Sequence, residues 1–512
     1  MGLGSVLLLG PMAWMLVVCA YRLYLHPLSQ YPGPWLARVT RWYSAYHSWK
    51  GDIHVDMARC HEKYGRVVRY APDRLLFDSV QSVHDIYGHS SNAIKAKSYS
   101  ALLHGAPNIL TARDKKQHGK RKRIISQGLS DSKMRALEPK ILNQIKIFCD
   151  VLYGTPGAAT TAGQTSAAAW GSLRNMSKFC DYLAMDIMAS IIFSSKYDAL
   201  SHEEYRWVPD TISESNVRVG VLFQIPEWKG FLKLDKTFFP SSIKARNRFI
   251  GFITKVLSTR LSLGKREKCE DIFSSLADAR DDAGEGLTLQ ELQAEAATLI
   301  VAGSDTTSTA LACLFFYLSR CPDLYQQAAA EVRGTFNDSR EICTGPKLNS
   351  CVFLRACVDE ALRIVPPAGS ALWREVLPGG ITVDGHHVPA GYDVGVGLYA
   401  IHHNPSYFPE PEKFRPSRFL GEATLSHMAT AQGKSPKSAY APFSLGSRSC
   451  LGKGLALTEL MLTMAMVLYF LDFETVENQD CPESFEVRDH VTAVKDGPML
   501  QFRPAIREKL MA

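Results

Sequence analysis

Apolar residues recur with helical spacing along most of the chain. This periodicity predicts helices over residues 134–153, 174–194 and 241–264. A longer and mostly apolar helix is predicted over 288–319, and a last strongly apolar helix over 453–471. Helix therefore dominates the predicted secondary structure.

Strand-like patterns are confined to two regions. Residues 65–80 contain VVRYAPDRLLFD, which is typical of a short hairpin with a Pro-Asp turn, and a mixed strand and turn region follows from 372 to 400. Residues 154–172 are small and low in charge, which predicts a surface loop and not a domain boundary. Without an internal repeat, the pattern predicts one large, mainly α domain with a minor β region.

The long central helix carries acidic residues. At about 32 residues it exceeds the usual length of a globular helix, so we expect it to cross the whole molecule. Glu291, Glu295 and Asp305 interrupt its apolar run. These charges argue against a second membrane span.

The N-terminus predicts a membrane anchor. Its first 21 residues carry no charged side chain and, as a helix, would extend about 31 Å, which matches the hydrocarbon core of a bilayer. A cleaved signal peptide is the alternative, because Val18-Cys19-Ala20 resembles a cleavage site, but no Lys or Arg precedes the apolar run. Arg22 and Arg38 follow it, which places the rest of the chain in the cytosol. The predicted organisation is a transmembrane anchor over 1–25, a proline-rich hinge over 26–40 and one domain over 41–512.

Composition is that of a folded protein. The 512 residues are 46% hydrophobic and 21% charged, which excludes a disordered or coiled-coil chain. The net charge of +7, from 58 Lys and Arg against 51 Asp and Glu, is too weak to predict a nucleic-acid partner. The 12 cysteines include no CxxC pair, so a reducing compartment is favoured over a disulfide framework.

The most informative stretch is FSLGSRSCLG, a loop that ends at Gly452 and runs into a predicted helix. The free N–H groups and positive dipole end of a helix N-terminus stabilise a thiolate, here that of Cys450. Gly446 and Gly452 allow sharp turns and the approach of a flat ligand, Phe443 can shield the sulfur, and Arg448 offers a cation. A thiolate ligand of haem iron needs this arrangement. The alternative is a buried structural cysteine.

A second motif, AGSDTT, lies in the middle of the long apolar helix. A Thr in a helix can bond the carbonyl four residues earlier and bend the helix, which Gly303 makes easier. Such a bend over a haem would leave a groove for dioxygen. Taken alone, Asp305 and Thr306 can also be a solvated acid beside a helix-bending Thr.

A third motif is the Glu360–Arg363 pair, whose spacing places both side chains on one helix face. Arg418, from a distant loop, can complete a buried ion triad. We expect these residues to hold the core of the site together and not to act in catalysis.

With the Cys450 loop, these motifs make the sequence similar to the cytochrome P-450 family of haem-thiolate monooxygenases. The matches follow the family order from the anchor to Cys450, so the resemblance covers essentially the whole chain. The YPGP elbow, IHHNP and PEPEKFRPSRF resemble membrane-bound enzymes of filamentous-fungal secondary metabolism. The resemblance implies the P-450 fold, a single large haem domain behind an N-terminal transmembrane helix. It also implies a single-pass location in the endoplasmic reticulum membrane, with the catalytic domain in the cytosol.

The resemblance also implies roles for individual residues. Cys450 is the axial ligand of the iron of haem b, and Asp305 and Thr306 deliver protons when the O–O bond of dioxygen is cleaved. The expected cofactor-binding residues are His118, Lys122, Arg374, Phe443, Gly446, Arg448 and Gly452.

One of these assignments departs from the family pattern. The family places an Arg where Lys122 stands, and a lysine cannot grip a haem propionate bidentately. Which of Arg121, Lys122 and Arg123 contacts the propionate is left open. The remaining cations of residues 115–123 are expected to face an acidic flavoprotein.

The implied activity is insertion of one oxygen atom of O2 into a lipophilic small molecule. The expected electron donor is NADPH through a cytochrome P-450 reductase, with cytochrome b5 as a further candidate partner. The resemblance also implies a mostly apolar pocket lining, which favours a secondary metabolite such as a terpenoid, polyketide or alkaloid. The implied lining residues are Leu102, Leu103, Ile109, Leu110, Ala302, Ala368, Ala371 and Leu372. Two alternatives are a reductase-independent haem-thiolate isomerase or dehydratase, and a non-catalytic membrane haem protein.

Overall fold

Helices form most of the protein. The computed structural model describes residues 3–103, 105–154, 170–262, 271–280, 284–421, 438–476 and 484–505. The helices are α1 Leu3–Ala20, α2 Trp35–Val39, α3 Trp42–Lys50, α4 Ile53–Tyr64, α5 Val80–Tyr87, α6 Lys115–Gly128, α7 Asp131–Tyr153, α8 Met176–Phe193, α9 Trp207–Gln224, α10 Leu234–Phe238, α11 Pro240–Ser262, α12 Ile272–Asp278, α13 Leu289–Arg320, α14 Pro322–Thr335, α15 Pro346–Ser350, α16 Val352–Ile364, α17 Leu398–His402 and α18 Lys453–Phe470.

Short strands form a minor β region. They are β1 Val67–Ala71, β2 Arg74–Phe77, β3 Ala93–Lys95, β4 Arg174–Asn175, β5 Arg374–Val376, β6 Ile381–Val383, β7 His386–Val388, β8 Asp393–Val396, β9 Leu471–Thr475, β10 Val487–His490, β11 Thr492–Lys495 and β12 Met499–Pro504. The largest sheet has the order β1-β2-β8-β5-β3, and a smaller one has the order β4-β12-β9. The pairs β6-β7 and β10-β11 are antiparallel hairpins.

The central helix α13 begins at a capping box. Thr288 Oγ1 accepts a hydrogen bond from the Glu291 N–H, and Glu291 Oε2 accepts one from the Thr288 N–H. From there α13 runs through the core, where it packs against α8, α16 and α18. This helix carries the second motif past the loop that holds Cys450.

The main sequence-predicted helices are present within a few residues of their expected limits, and the fold class is confirmed. The helices predicted over 134–153 and 174–194 are α7 and α8, and that predicted over 241–264 is α11. Residues 155–169 of the predicted surface loop lie outside the described residues. The ten cysteines that are described are free.

The N-terminal segment is an apolar helix that continues through a π-helical turn, Tyr21–Leu25. Residues Gly10–Leu25 form a short apolar helix, and large side chains such as Trp14 are exposed on it. The chain after it packs on the first sheet, where the Arg69 N–H donates to the Pro32 carbonyl oxygen at 2.7 Å. By length and composition α13 and α18 could also cross a membrane, but most of each is buried inside the protein.

Candidate active site

The loop before α18 presents Cys450 to a large cavity. The Cys450 N–H donates to the Phe443 carbonyl oxygen at 2.9 Å, which closes the loop. Gly446 has a φ of +67°, and a Cβ built there would overlap the Tyr87 carbonyl oxygen. A side chain at this position is therefore excluded both by conformation and by space.

Backbone N–H groups converge on the Cys450 sulfur. Burial raises the pKa of the Cys450 thiol, while the N–H groups of Gly452 and Lys453 and the Lys453 charge act to lower it. Burial has the larger effect, so without a metal the thiol keeps its proton. A coordinated metal ion removes the proton from such a thiol. The loop thus offers one sulfur ligand at the N-terminus of α18.

The cavity measures about 930 Å³ and is bounded on one side by the Cys450 loop and on the other by α13. Phe443, Arg448 and Gly452 line it beside the thiol, and Thr306 lines it from α13. The apolar positions that the family resemblance placed in the pocket all lie along its wall: Leu102, Leu103, Ile109, Leu110, Ala302, Ala368, Ala371 and Leu372.

Basic side chains gather at one part of the cavity wall. Arg374 Nη1 donates to the Tyr99 hydroxyl at 3.1 Å, Lys95 Nζ to the Leu110 carbonyl at 2.7 Å, and Arg448 Nη1 to the Ala112 carbonyl at 2.7 Å. Among the described residues no carboxylate lies within ion-pair distance of these three cations.

Each of these cations destabilises the protonated form of its neighbours. Burial, and then Arg374 and Arg448, lower the pKa of Lys95 well below its usual value. Burial, and then Arg448, lower the pKa of His118 to about 3, so this histidine is neutral and offers hydrogen bonds only. Unneutralised cations around an apolar cavity with a thiol on its wall fit a flat apolar cofactor that carries two carboxylates, as haem does.

The basic segment on α6 is divided between different surroundings. Lys122 Nζ donates to the Ser447 carbonyl oxygen at 3.0 Å and is not part of the cavity wall. Arg121 is buried and its Nη1 lies 2.9 Å from Glu295 Oε1. Arg123 is exposed. None of these three predicted candidates lines the cavity in the described structure, whereas His118 does.

Two residues of this cluster, Lys95 and Tyr99, were not predicted from the sequence. Lys95 ends the short strand β3, and Tyr99 follows it, so neither belongs to a spaced motif. The one signal in the sequence is a lysine amid small and apolar residues in AIKAK, which is also common at sheet edges.

The two polar side chains of the α13 motif, Thr306 and Asp305, have different surroundings. Thr306 faces the cavity, and its Oγ1 donates to the Ala302 carbonyl oxygen at 2.7 Å. The Asp305 side chain does not line the cavity, but its carboxylate accepts a hydrogen bond from the hydroxyl of Thr492, which does. Burial raises the pKa of Asp305 to about 6, although Lys495 and Thr492 act to lower it.

A buried polar network lies behind Asp305. Lys495 Nζ donates to Asp181 Oδ1 at 2.7 Å and to Ser308 Oγ at 3.0 Å, and Ser308 Oγ donates to the same Asp181 oxygen at 2.7 Å. Burial lowers the pKa of Lys495, but Asp181 and Asp305 outweigh it and raise the pKa overall. The acid of the α13 motif therefore belongs to a charged network that joins α8, α13 and β11.

The third motif forms a buried ion cluster. Arg363 Nε lies 2.7 Å from Glu360 Oε2, and Arg418 Nε lies 3.3 Å from Glu360 Oε1. Arg363 also donates to the His402 carbonyl oxygen at 2.9 Å and thereby ties α16 to α17. The three side chains do not line the cavity.

Comparison with known proteins agrees with this geometry. The family model for cytochrome P-450 matches residues 32–502. The chain is 49% identical over 96% of its length to the cytochrome P-450 monooxygenase poxM of Penicillium oxalicum, of which the match covers 93%. It is 42% identical over 95% of its length to atnE, a cytochrome P-450 monooxygenase of Emericella nidulans, of which 94% is covered.

A solved structure supports the fold. The chain of retinoic acid bound cyanobacterial CYP120A1 superposes with a TM-score of 0.69 at 20% sequence identity, over 89% of this chain and 95% of that one. At this identity the match bears on the fold alone. The predicted family and fold class are thereby confirmed.

Proposed function

Because this chain belongs to the cytochrome P-450 family, we propose that it is a membrane-anchored monooxygenase that oxidises a lipophilic secondary metabolite with electrons from NADPH. Its relatives are named cytochrome P-450 monooxygenases, and haem and O2 follow from the family. The observation that carries the proposal is a cavity lined by Cys450, by Thr306 and by cations that have no carboxylate partner among the described residues.

Cys450 would hold the iron of haem b, and the cation cluster would hold the propionates. The proposed cluster consists of Arg374, Arg448, Lys95 and His118, with Lys122 supporting the loop through Ser447 instead of contacting the cofactor. When bound, haem supplies the binding and reductive cleavage of dioxygen. Phe443, Gly446 and Gly452 shape the loop on the thiolate side.

The chain's own part in the chemistry is proton handling, orientation and the exclusion of water. Thr306 presents its hydroxyl oxygen to the cavity, and the Asp305 carboxyl, with a pKa of about 6, can exchange protons near neutral pH. The Thr492 hydroxyl would hold that carboxyl next to the cavity wall, and the charge of Lys495 favours its ionised form. The Glu360, Arg363 and Arg418 cluster is proposed to hold the walls of the site in register.

The proposed substrate is a lipophilic small molecule, because the cavity wall away from the cations is mostly apolar. Terpenoids, polyketides and hydrophobic alkaloids fit this description. The proposed organisation is an anchor over 1–25, a hinge over 26–40 and the haem domain over 41–512. The exposed apolar helix supports a single-pass location in the endoplasmic reticulum membrane with the catalytic domain in the cytosol.

The proposed electron donor is NADPH–cytochrome P-450 reductase, with cytochrome b5 as an auxiliary donor. Exposed cations at the start of α6, Lys115 and Lys116, lie in the segment that leads to the Cys450 loop contact at Lys122. Such cations favour the approach of an acidic flavoprotein.

The test is turnover in microsomes that contain the full-length chain. We expect oxidation of a lipophilic metabolite only when NADPH, O2 and the reductase are all present. Product formation from a peroxide substrate without reductase would identify an isomerase or dehydratase instead. Bound haem without turnover, over a broad set of metabolites, would favour the non-catalytic haem protein.

A further inference from the structure

One cation lies on the cavity wall apart from the propionate-binding cluster. Arg246 lines the cavity from α11, on the same helix face as Phe249, Ile250 and Ile253. These positions recur with the spacing of one helix face. A charged side chain on an otherwise apolar face is unfavourable unless it has a polar partner, because such a face normally packs against or binds apolar groups.

The charge of Arg246 has no acidic partner in the described part of the chain. Its Nη2 donates to the neutral Asn247 Oδ1 at 2.9 Å. Asp235, which acts to raise the pKa of Arg246, is itself paired with Arg218, whose Nε lies 3.1 Å from Asp235 Oδ2. Burial, and then Arg218, lower the pKa of Arg246. This corner of the cavity is therefore positive.

The neighbouring helix α9 contributes polar groups to the wall near Arg246. The Ser242 hydroxyl donates to the Glu214 carbonyl oxygen at 2.8 Å, which brings the first turn of α11 against α9. At this level α9 turns Ser215 and Asn216 toward the cavity. Arg246 and Ser215 thus lie on neighbouring helices of the cavity wall and can offer an anion a positive charge and a hydroxyl donor. The Asn216 amide already donates to Thr492 Oγ1 at 3.0 Å.

An apolar stretch of the cavity wall leads from this corner toward Thr306. Along α11, Arg246 and Ile253 are separated by about 10 Å of helix. There α11 meets α13, because Gln293 Nε2 donates to Thr254 Oγ1 at 3.1 Å. From that contact the wall continues along α13 through Ala294, Ala297 and Ala302 to Thr306.

From this arrangement we propose that the substrate is an amphipathic carboxylic acid, whose carboxylate binds Arg246 and whose apolar chain extends along α11 and α13 toward Thr306. The proposal rests on the monooxygenase function above and narrows its substrate class. A guanidinium is suited to this role because it grips a carboxylate with parallel hydrogen bonds. Oxidation is then directed to the part of the chain far from the carboxylate.

The test compares dodecanoic acid with methyl dodecanoate on the full-length, haem-loaded enzyme, by calorimetric binding and by the change in the haem spectrum. We expect the acid to bind about ten- to a hundredfold more tightly than the ester, as for a hydrogen-bonded charge pair. Arg246→Gln should abolish this preference, and Arg246→Lys should retain part of it. Lys244→Gln removes the same charge from an exposed position on the same helix, and should leave the preference intact.

Equal affinity of the wild-type enzyme for acid and ester, or no binding of either, would overturn the proposal. So would a preference that Arg246→Gln and Lys244→Gln reduce equally, because Arg246 would then be a general surface charge. These results are distinguishable from failure of the proposed function. An enzyme with a normal thiolate spectrum that oxidises neutral substrates but ignores acids contradicts the substrate class alone.

Discussion

Lys495 Nζ lies 2.7 Å from Asp181 Oδ1 inside the protein, although the two residues come from β11 and α8. Lys495 also lowers the pKa of Asp305, which burial raises to about 6. We therefore expect the cation on the C-terminal hairpin to act on Asp305 through its charge, while the hydrogen bond to the Asp305 carboxylate comes from Thr492. The effect of Lys495 on catalysis would act through the proton affinity of Asp305.

Replacing Lys495 should shift the pH dependence of coupling. Lys495→Met removes the charge that stabilises ionised Asp305, so the pKa of Asp305 should rise further above about 6. Coupling, measured as product formed per NADPH consumed, should therefore change with pH at a higher pH than in the wild type. Lys495→Arg should stay close to wild type. An unchanged pH profile in a folded Lys495→Met enzyme would show that Lys495 only supports the fold.

Replacing the hydroxyl of Thr306 should uncouple the reaction. In Thr306→Ala we expect NADPH consumption to continue with release of hydrogen peroxide, while product formation falls by about a hundredfold, as for loss of a positioned proton donor. Thr298→Ala is the matched control, because Thr298 also lines the cavity and donates to the carbonyl four residues earlier, at 2.8 Å. If both variants behave alike, the effect belongs to the helix and not to proton delivery.

A side chain at Gly446 should disrupt the Cys450 loop. In Gly446→Ala the new Cβ meets the Tyr87 carbonyl oxygen at a φ of +67°. We expect a loss of at least about 1–3 kcal/mol in the free energy of unfolding, with reduced haem retention. Gly454→Ala adds the same methyl group at a helical position with open space and should be tolerated. Thermal unfolding and haem content of the two purified variants provide the measurement.

Glu459 should make the protein less stable as the pH rises. Burial raises the pKa of this carboxyl on α18 from its usual value of 4.5 to about 8. The folded state therefore holds a proton that the unfolded state releases, so stability is highest below about pH 4.5 and is lost up to about pH 8. Glu459→Gln should flatten this part of the profile, as measured by denaturant unfolding at several pH values. A Gln variant with the wild-type slope would assign the pH dependence to other groups.

The sequence predicted the elements that rest on local patterns. The limits of α13 follow from its apolar run, and the Cys450 loop follows from spaced glycines before a helix. The family assignment was correct for the same reason, since its motifs are short and closely spaced. The roles assigned to Asp305, Thr306 and the ion cluster stay predictions until they are measured.

Groups that only tertiary contacts bring together were harder to predict from the sequence. Lys95 and Tyr99 reach the cation cluster only because β3 pairs with β5, which carries Arg374. Lys495 and Asp181 are 314 positions apart and share no pattern. Lys122 was predicted to bind haem from its spacing to His118, one helical turn earlier. In the structure its Nζ donates to the Ser447 carbonyl oxygen, whereas His118 lines the cavity. Spacing along a helix defines a face and not the partners that the face meets.

The most direct test of the account is the carbon-monoxide difference spectrum of the dithionite-reduced, microsome-bound protein. A Soret band strongly shifted to the red is predicted, because Cys450 would bind the iron as a thiolate. Cys450→Ser should lose this band at comparable protein levels. A band typical of ordinary haem in the wild type, an unchanged spectrum in Cys450→Ser, or no haem absorption in a folded sample would contradict the central claim.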